Sequence, residues 1–253
     1  MSEIRVGLIG IVGEARQEDL WGTLETLARF GYRGIECPNY LLEGDAQDNL
    51  RRFRDLGLEP LNVGCVMEDL RTRLDQLVAE AKALGVDRVT MWWSSCETRQ
   101  QVADDAAQLN EFGRELKKRG LTLCYHNHHH EFLRSFQGAR AFDLLCDLLD
   151  PECVQFEIDC GWVAFAGEDP RKVLRRLAGR VPAIHVKDFV RAETEEPEFT
   201  MVGTGILDVV GTLEAAIETG VRWAVVEQDK LRNLGALETA IGSILNLRET
   251  GLV

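Results

Sequence analysis

The sequence predicts a single (β/α)8 barrel over residues 1–253, and three observations lead to that fold. The chain has the usual length of such a barrel. Short apolar runs rich in β-branched residues alternate with amphipathic stretches, which is typical of parallel strands covered by helices. Most of the amphipathic stretches end at a glycine just before the next apolar run, namely at Gly31, Gly57, Gly85, Gly120, Gly179 and Gly220. Glycine suits this place because the residue after a helix often takes a left-handed conformation.

The order of the elements follows from these boundaries. A seventh boundary lies at Asp150-Pro151, where proline stops the helix. Seven boundaries separate eight predicted strands, over residues 5–11, 33–37, 60–66, 88–93, 121–126, 154–158, 183–187 and 222–227. Residues 68–84 have leucines and small apolar residues along one stripe, which predicts one helix packed on the barrel. Residues 191–197 predict an acidic surface loop that forms a lid or a rim.

A doubly wound open sheet is the alternative fold, because it uses the same repeated unit. Its phosphate-binding fingerprint is absent after the first strand, where Gly7, Gly10 and Gly13 are spaced by three. We therefore favour the closed barrel.

The charge and cysteine content of the chain indicate which binding partners and which cellular compartment to expect. The chain has 29 Lys and Arg against 42 Asp and Glu, a formal net charge of -13, so nucleic acid and anionic membranes are not expected partners. Seven scattered cysteines without a C-x-x-C pair indicate a reducing compartment. We find neither the pattern of a signal peptide nor an apolar run that could span a membrane, and we expect a cytoplasmic protein. A homodimer is the first expectation for its assembly.

Polar residues at the ends of the last four strands are the main candidates for chemistry. The carboxyl ends of barrel strands build the active site, and Glu131, Asp159, His185 and Glu227 lie at or just after the ends of strands five to eight. Carboxylates with an imidazole predict one divalent metal ion, Mn²⁺ first, with Mg²⁺, Co²⁺ and Zn²⁺ as alternatives. Each residue also has a structural interpretation: Asp159 as a cap of the following loop, His185 as a core histidine, the glutamates as ion-pair partners.

Further residues are expected around a substrate. Strand alternation places His126 and His128 on the same side, as donors to substrate hydroxyls or, alternatively, as two ligands of a zinc site, and it leaves His129 and His130 in an exposed loop. The other candidates for substrate binding are Glu36, Trp92, Trp162 and Lys187. The alternative for Lys187 is a salt bridge to Glu157 or Asp159, and for the tryptophans a place in the core. Backbone N–H groups of residues 203–205 are a weaker candidate for binding phosphate.

Five motifs resemble those of sugar phosphate isomerases and epimerases of the xylose-isomerase-like barrel superfamily. They are Tyr-His-Asn-His-His-His-Glu-Phe at 125–132, Phe-Glu-Ile-Asp at 156–159, Ile-His-Val-Lys-Asp at 184–188, Val-Gly-Thr-Gly-Ile-Leu-Asp at 202–208 and Val-Val-Glu-Gln-Asp at 225–229. The resemblance implies that Glu131, Asp159, His185 and Glu227 bind the metal and that Glu131 and Glu227 act as acid and base. Many relatives have the first carboxylate within the fifth strand, where this chain has His126. If Glu131 points away, His126 or His128 replaces it.

The predicted function is isomerisation or epimerisation of a small sugar, sugar phosphate or related hydroxy-carbonyl compound through an enediolate. An inosose-type dehydratase is the alternative on the same scaffold, because it also removes a proton next to a carbonyl. A DNA-repair endonuclease of the same superfamily would need more histidine ligands and a basic groove, and the sequence has neither. A barrel that binds a sugar without catalysis stays as the last alternative.

Overall fold

The structure is a computed structural model that describes residues 4–192, 194–195 and 197–253. Its strands are β1 (Arg5–Leu8), β2 (Gly34–Ile35), β3 (Glu59–Pro60), β4 (Val63–Cys65), β5 (Arg88–Met91), β6 (Thr122–His126), β7 (Ser135–Phe136), β8 (Ala139–Arg140), β9 (Val154–Asp159), β10 (Ala183–Val186), β11 (Asp188–Phe189), β12 (Phe199–Thr200) and β13 (Trp223–Val226).

The helices cover the outside of the sheet. They are α1 (Gly13–Glu18), α2 (Leu20–Phe30), α3 (Ala46–Asp55), α4 (Met67–Thr72), α5 (Leu74–Leu84), α6 (Arg99–Lys118), α7 (His130–Leu133), α8 (Ala141–Leu148), α9 (Cys160–Phe165), α10 (Pro170–Arg176), α11 (Val209–Glu218) and α12 (Ala236–Glu249), with a 3-10 helix at Asn39–Leu42.

The main sheet closes into a barrel of eight parallel strands, which confirms the predicted fold. Its nine segments follow the order β3-β2-β1-β13-β10-β9-β6-β5-β4. The two segments at the ends of this order, β3 and β4, are separated by only Leu61 and Asn62 in the chain. One extended stretch therefore pairs with β2 through its first half and with β5 through its second half. Counted as one strand, it joins the two edges of the sheet.

The lower interior of the barrel is filled by an apolar layer of Leu61, Ala183, Trp223 and Val225. Glycines in neighbouring strands make room for it, since a Cβ added to Gly34 would lie 2.6 Å from a Leu61 methyl. Side chains two residues apart on a strand share a face. The positions above this layer, toward the carboxyl ends of β10 and β13, therefore also face the barrel axis.

The helix boundaries agree with the sequence, with one exception. All six glycines predicted to follow helices have positive φ, from 76° to 116°. The predicted helix over residues 68–84 is two helices, because Arg73 leaves the helical region at φ -138° and ψ 31°. The apolar stripe continues across this break, with Leu70 and Leu77 fully buried on either side.

Two short antiparallel pairs, β7 with β8 and β11 with β12, were not expected from the sequence. Residues 193 and 196 of the predicted acidic loop lie outside the described residues. All seven cysteines are unpaired. Within the described ranges, no helix combines the length and the apolar character that crossing a bilayer requires.

Candidate metal centre and active site

Four potential ligands meet at the carboxyl end of the barrel. His126 ends β6, Asp159 ends β9, His185 lies in β10, and Glu227 directly follows β13. These four strands are consecutive neighbours in the sheet, so their carboxyl ends lie side by side. One imidazole or carboxylate atom from each residue lies within 4.8 Å of the others. Three of the predicted ligands are thus brought together, with His126 as the fourth.

Asp159 lies in the cluster and also caps the element that follows it, which is a helix and not the expected loop. Its backbone is paired in register with His185. Its Oδ1 accepts a hydrogen bond from the backbone N–H of Trp162 at 2.9 Å and so caps α9. The second oxygen, Oδ2, is buried and has no hydrogen bond of good geometry among the described groups, although the Lys187 ammonium lies 3.2 Å from it. A carboxylate oxygen that is buried in this way, beside other potential ligands, can accept a further cation.

Two further buried carboxylates support the histidines. Glu36 follows β2, and its Oε2 lies 2.9 Å from His185 Nε2, while the other ring nitrogen of His185 lies 2.8 Å from Glu227 Oε2. Glu157 Oε1 lies 3.5 Å from His126 Nδ1. A metal-bound histidine commonly bonds a carboxylate through the nitrogen that does not face the metal. His185 has such a partner in Glu36, and a carboxylate oxygen of Glu157 lies near His126 without forming a hydrogen bond, so the arrangement fits a metal centre.

The Lys187 side chain lies beside the same carboxylates and is fully buried. Its Nζ lies 2.9 Å from Glu227 Oε2, 2.9 Å from Asp229 Oδ1 and 3.2 Å from Asp159 Oδ2. The salt bridge to Asp159 that was the alternative for this lysine is therefore present. Burial alone would lower the pKa of Lys187, but the three carboxylates raise it above its usual value, so the ammonium is charged.

The charges of the cluster depend on one another. Burial would lower the pKa of His185, but Glu36 and Glu227 raise it well above its usual value. Burial would likewise raise the pKa of Glu227, yet Lys187 and His185 hold it well below the usual range. For Asp159 burial prevails and raises the pKa. A bound cation would take over the stabilising role of the His185 proton, because a ligating imidazole is neutral.

The chemistry of the donor set fits a divalent transition metal. Two imidazoles and two carboxylates suit Mn²⁺, Co²⁺, Zn²⁺ or Fe²⁺ better than Mg²⁺, which prefers oxygen ligands. His126, Asp159, His185 and Glu227 are the residues that would hold the ion.

Glu131 lies apart from this cluster. Its Oε1 accepts a hydrogen bond from the Tyr125 hydroxyl, and its Oε2 accepts one from the backbone N–H of His128, both at 2.9 Å. It groups with Cys96 and His130, and it is not among the four donors that surround the candidate metal position. Burial raises its pKa to about 8. Glu131 therefore points away from the candidate metal position, and His126 takes its place in the candidate ligand set.

A cavity of about 300 Å³ opens onto the cluster. It is lined by Ile9, Gly10, Trp92, His126, His128, His185 and Glu227. Glu36 is buried beneath it as the partner of His185. Trp162 is buried among Phe165, Phe189 and Phe199, and its ring centroid lies 4.9 Å from Lys187 Nζ. Its surroundings are thus those of a core residue that covers the lysine.

Two local expectations were wrong. His130 is not in an exposed loop: it is the first residue of α7 and is buried, with its Nε2 2.8 Å from the carbonyl oxygen of Ser94, whereas His129 lies in the bend before α7 and is partly exposed. The N–H groups of Gly203 and Gly205 are not free for phosphate, since both donate to Asp188 Oδ2. An internal carboxylate thus occupies the position proposed for an anion.

Two residues near the site were missed, Glu157 as a partner of His126 and Asp229 as a partner of Lys187. Each lies two positions from a predicted ligand, Asp159 or Glu227. Strand alternation would have placed Glu157 on the same face as Asp159.

The fold and the four-donor cluster define a parallel barrel with a candidate metal centre at its catalytic end. The chain belongs to the family described as xylose isomerase-like TIM barrel, which matches residues 24–247.

Known relatives agree with this assignment. An inosose dehydratase of Mesomycoplasma hyopneumoniae strain J is 35% identical over 194 residues, which cover 68% of this chain and 63% of the relative. The match thus spans a little under two thirds of the length of that relative. A sugar phosphate isomerase/epimerase of Parabacteroides distasonis superposes with a TM-score of 0.81 at 16% identity, over 98% of both chains. The IOLI protein with a binding zinc atom superposes with a TM-score of 0.74 at 18% identity, over 98% of this chain and 96% of that one. These two structures are similar in fold.

Proposed function

We propose that the protein is a divalent-metal enzyme that removes a proton next to the carbonyl of a small polyhydroxylated ketone and then eliminates water. The observation that carries this proposal is the cluster of His126, Asp159, His185 and Glu227, of which the two histidines and Glu227 line the open cavity. The solved structure with a zinc atom and the curated relatives named inosose dehydratase support it. Mn²⁺ is the first ion to test, followed by Co²⁺, Zn²⁺ and Mg²⁺.

The residues of the chain have distinct tasks in this proposal. A divalent cation, when bound, stabilises the negative charge that develops on the substrate oxygens. Glu227 lines the cavity, so its carboxylate is placed to accept the proton from the carbon next to the carbonyl. His128 also lines the cavity, and burial lowers its pKa to about 2, so it binds substrate hydroxyls as a neutral imidazole. Glu36 and Glu157 keep the two cluster histidines oriented.

Dehydration is the favoured outcome because the cluster has one suitably placed glutamate. In a syn elimination the carboxylate that takes the proton returns it to the leaving hydroxyl group. The C–H and C–O bonds break, a C=C bond forms, and water leaves. Epimerisation would require a second group on the opposite face of the substrate, and Glu131, which was expected there, is bound to Tyr125 and to the backbone of His128.

Isomerisation is the second candidate. It shares the first step and needs only that Glu227 return the proton to the neighbouring carbon, which its place in the cavity wall allows. Solved structures of a sugar phosphate isomerase/epimerase and of an L-ribulose 3-epimerase are similar to this chain in fold.

Proton exchange with solvent tests the shared step. The Mn²⁺-loaded protein is incubated in D₂O with inososes, ketoses and ketose phosphates, and NMR follows deuterium incorporation and products. We expect exchange, with an unsaturated product from an inosose-type ketone. Glu227→Gln should lower the rate by about 10²–10⁴-fold, whereas the matched Glu131→Gln should keep it. Absence of exchange with every compound, or equal loss in both variants, contradicts the proposal.

A further inference from the structure

We propose that Arg16 binds an anionic group of the substrate, a carboxylate or a phosphate, in a subsite beside the metal cluster. A cavity of about 200 Å³ lies next to the site cavity and shares Ile9, Gly10 and Trp92 with it. Arg16 and Tyr40 are among the residues that line it. This inference rests on the proposed function only for the position of the reacting carbonyl.

The Arg16 guanidinium is held in place but is not neutralised. Arg16 belongs to α1, which follows β1, and its Cζ lies 3.9 Å from the centre of the Tyr40 ring. Among the described residues, no carboxylate lies within ion-pair distance of Arg16. A guanidinium stacked on an aromatic ring keeps the N–H groups at its edge available, and their planar fork matches a carboxylate or a phosphate.

A neighbouring cavity has the opposite charge. It has a volume of about 370 Å³, shares Gly10 and Gly13 with the Arg16 cavity, and is lined by the carboxylates of Glu14, Glu227 and Asp229. An anionic substrate group would be repelled from these carboxylates and attracted to Arg16. With a net charge of -13 the whole chain repels anions, so any preference for them must come from a local group.

Glu36 also lines the Arg16 cavity, and its charge has to be considered. This carboxylate is buried, lies 2.9 Å from His185 Nε2 and makes no ion pair with Arg16, so its charge belongs to the balance of the cluster and of the cation bound there. The uncompensated charge of this cavity is therefore that of Arg16. A substrate with its carbonyl at the cluster and its anionic end at Arg16 satisfies both sides of the site.

The test is calorimetric titration of the Mn²⁺-loaded full chain with three probes: D-fructose, D-fructose 6-phosphate and 5-keto-D-gluconate. We expect the better of the two anions to bind about ten- to a hundred-fold more tightly than fructose. The better anion identifies phosphate or carboxylate as the preferred group. Arg16→Met should reduce anion binding to the level of fructose and leave fructose binding unchanged, and Arg16→Lys should retain part of the preference.

Arg29→Met is the matched control, because it removes the same charge in a cavity formed by Arg5, Arg33 and Arg248 around the start of β1. It should change none of the three affinities. The proposal is overturned if neither anion binds better than fructose, or if the Arg16 and Arg29 variants lose affinity equally. A variant with an unchanged Mn²⁺ affinity and melting temperature shows that loss of anion binding is local.

The subsite and the proposed chemistry can fail separately. An anion preference that depends on Arg16, without any deuterium exchange, supports the subsite and contradicts the enediolate reaction. Exchange that is equally efficient with neutral and anionic ketones, and that is unaffected by Arg16→Met, contradicts the subsite alone.

Discussion

Glu36→Gln tests whether a buried carboxylate prepares His185 for a metal. Glu36 is 3% exposed, and its Oε2 lies 2.9 Å from His185 Nε2. Glutamine has the same shape, so packing is kept while the charge of this hydrogen bond is removed. A hydrogen bond to a charged group contributes about 1.5–3 kcal/mol, and each 1.4 kcal/mol corresponds to about tenfold in affinity. We therefore expect the Kd for Mn²⁺ to rise about 10- to 100-fold, the usual range for such supporting residues.

The assay is calorimetric titration of metal-free protein with Mn²⁺. Glu43→Gln is the control, since it removes the same charge from an exposed position. A Kd for Glu36→Gln within about twofold of the wild type, or an equal change in both variants, would refute the reasoning that Glu36 acts through His185.

Three further outcomes follow from the contacts around the site. Lys187→Met should destabilise the metal-free protein by about 3–5 kcal/mol in urea unfolding, because the carboxylates around the buried ammonium lose their counter-ion; unchanged stability would contradict this. Glu131 has a folded pKa raised to about 8 from 4.5, so the folded state binds its proton more tightly and stability falls as pH rises from about 4.5 to 8. Glu131→Gln should remove this decrease in a comparison of unfolding at pH 5 and pH 8, and an identical pH profile would be the contrary result. Asp188→Asn should lower the free energy of unfolding in urea by about 1–3 kcal/mol for each backbone N–H that is left facing the NH₂ group of the new side chain. A smaller decrease would contradict the role of Asp188 in holding its loop.

The barrel was predictable because its signals are local and repeated. Each of the seven predicted boundaries has a glycine with positive φ or a proline, and most strands of the barrel are short apolar runs. The convergence of Asp159, His185 and Glu227 was also predictable, since parallel strands of a closed barrel end on the same face. The break between α4 and α5 at Arg73 was not predictable, because the apolar residues of both helices continue one stripe and pack against the same core.

The structure places His126, and not the predicted Glu131, in the ligand cluster, and the reason is that strand periodicity predicts side-chain direction only within a strand. His126 is the last residue of β6, so its side chain follows the alternation of the strand. Glu131 lies in the first turn of α7, where the direction of the side chain depends on the turn between the two elements. The contact of Glu36 with His185 joins residues 149 positions apart across the barrel, and no local pattern indicates it.

The metal content of the purified chain tests the central claim most directly. After dialysis against Mn²⁺, elemental analysis should find about one ion per chain, and a His185→Ala, Glu227→Gln double variant should have lost it while Glu131→Gln retains it. Wild-type protein without metal after Mn²⁺ is supplied, or a double variant that still holds the ion, would contradict the assignment of the cluster as a metal centre.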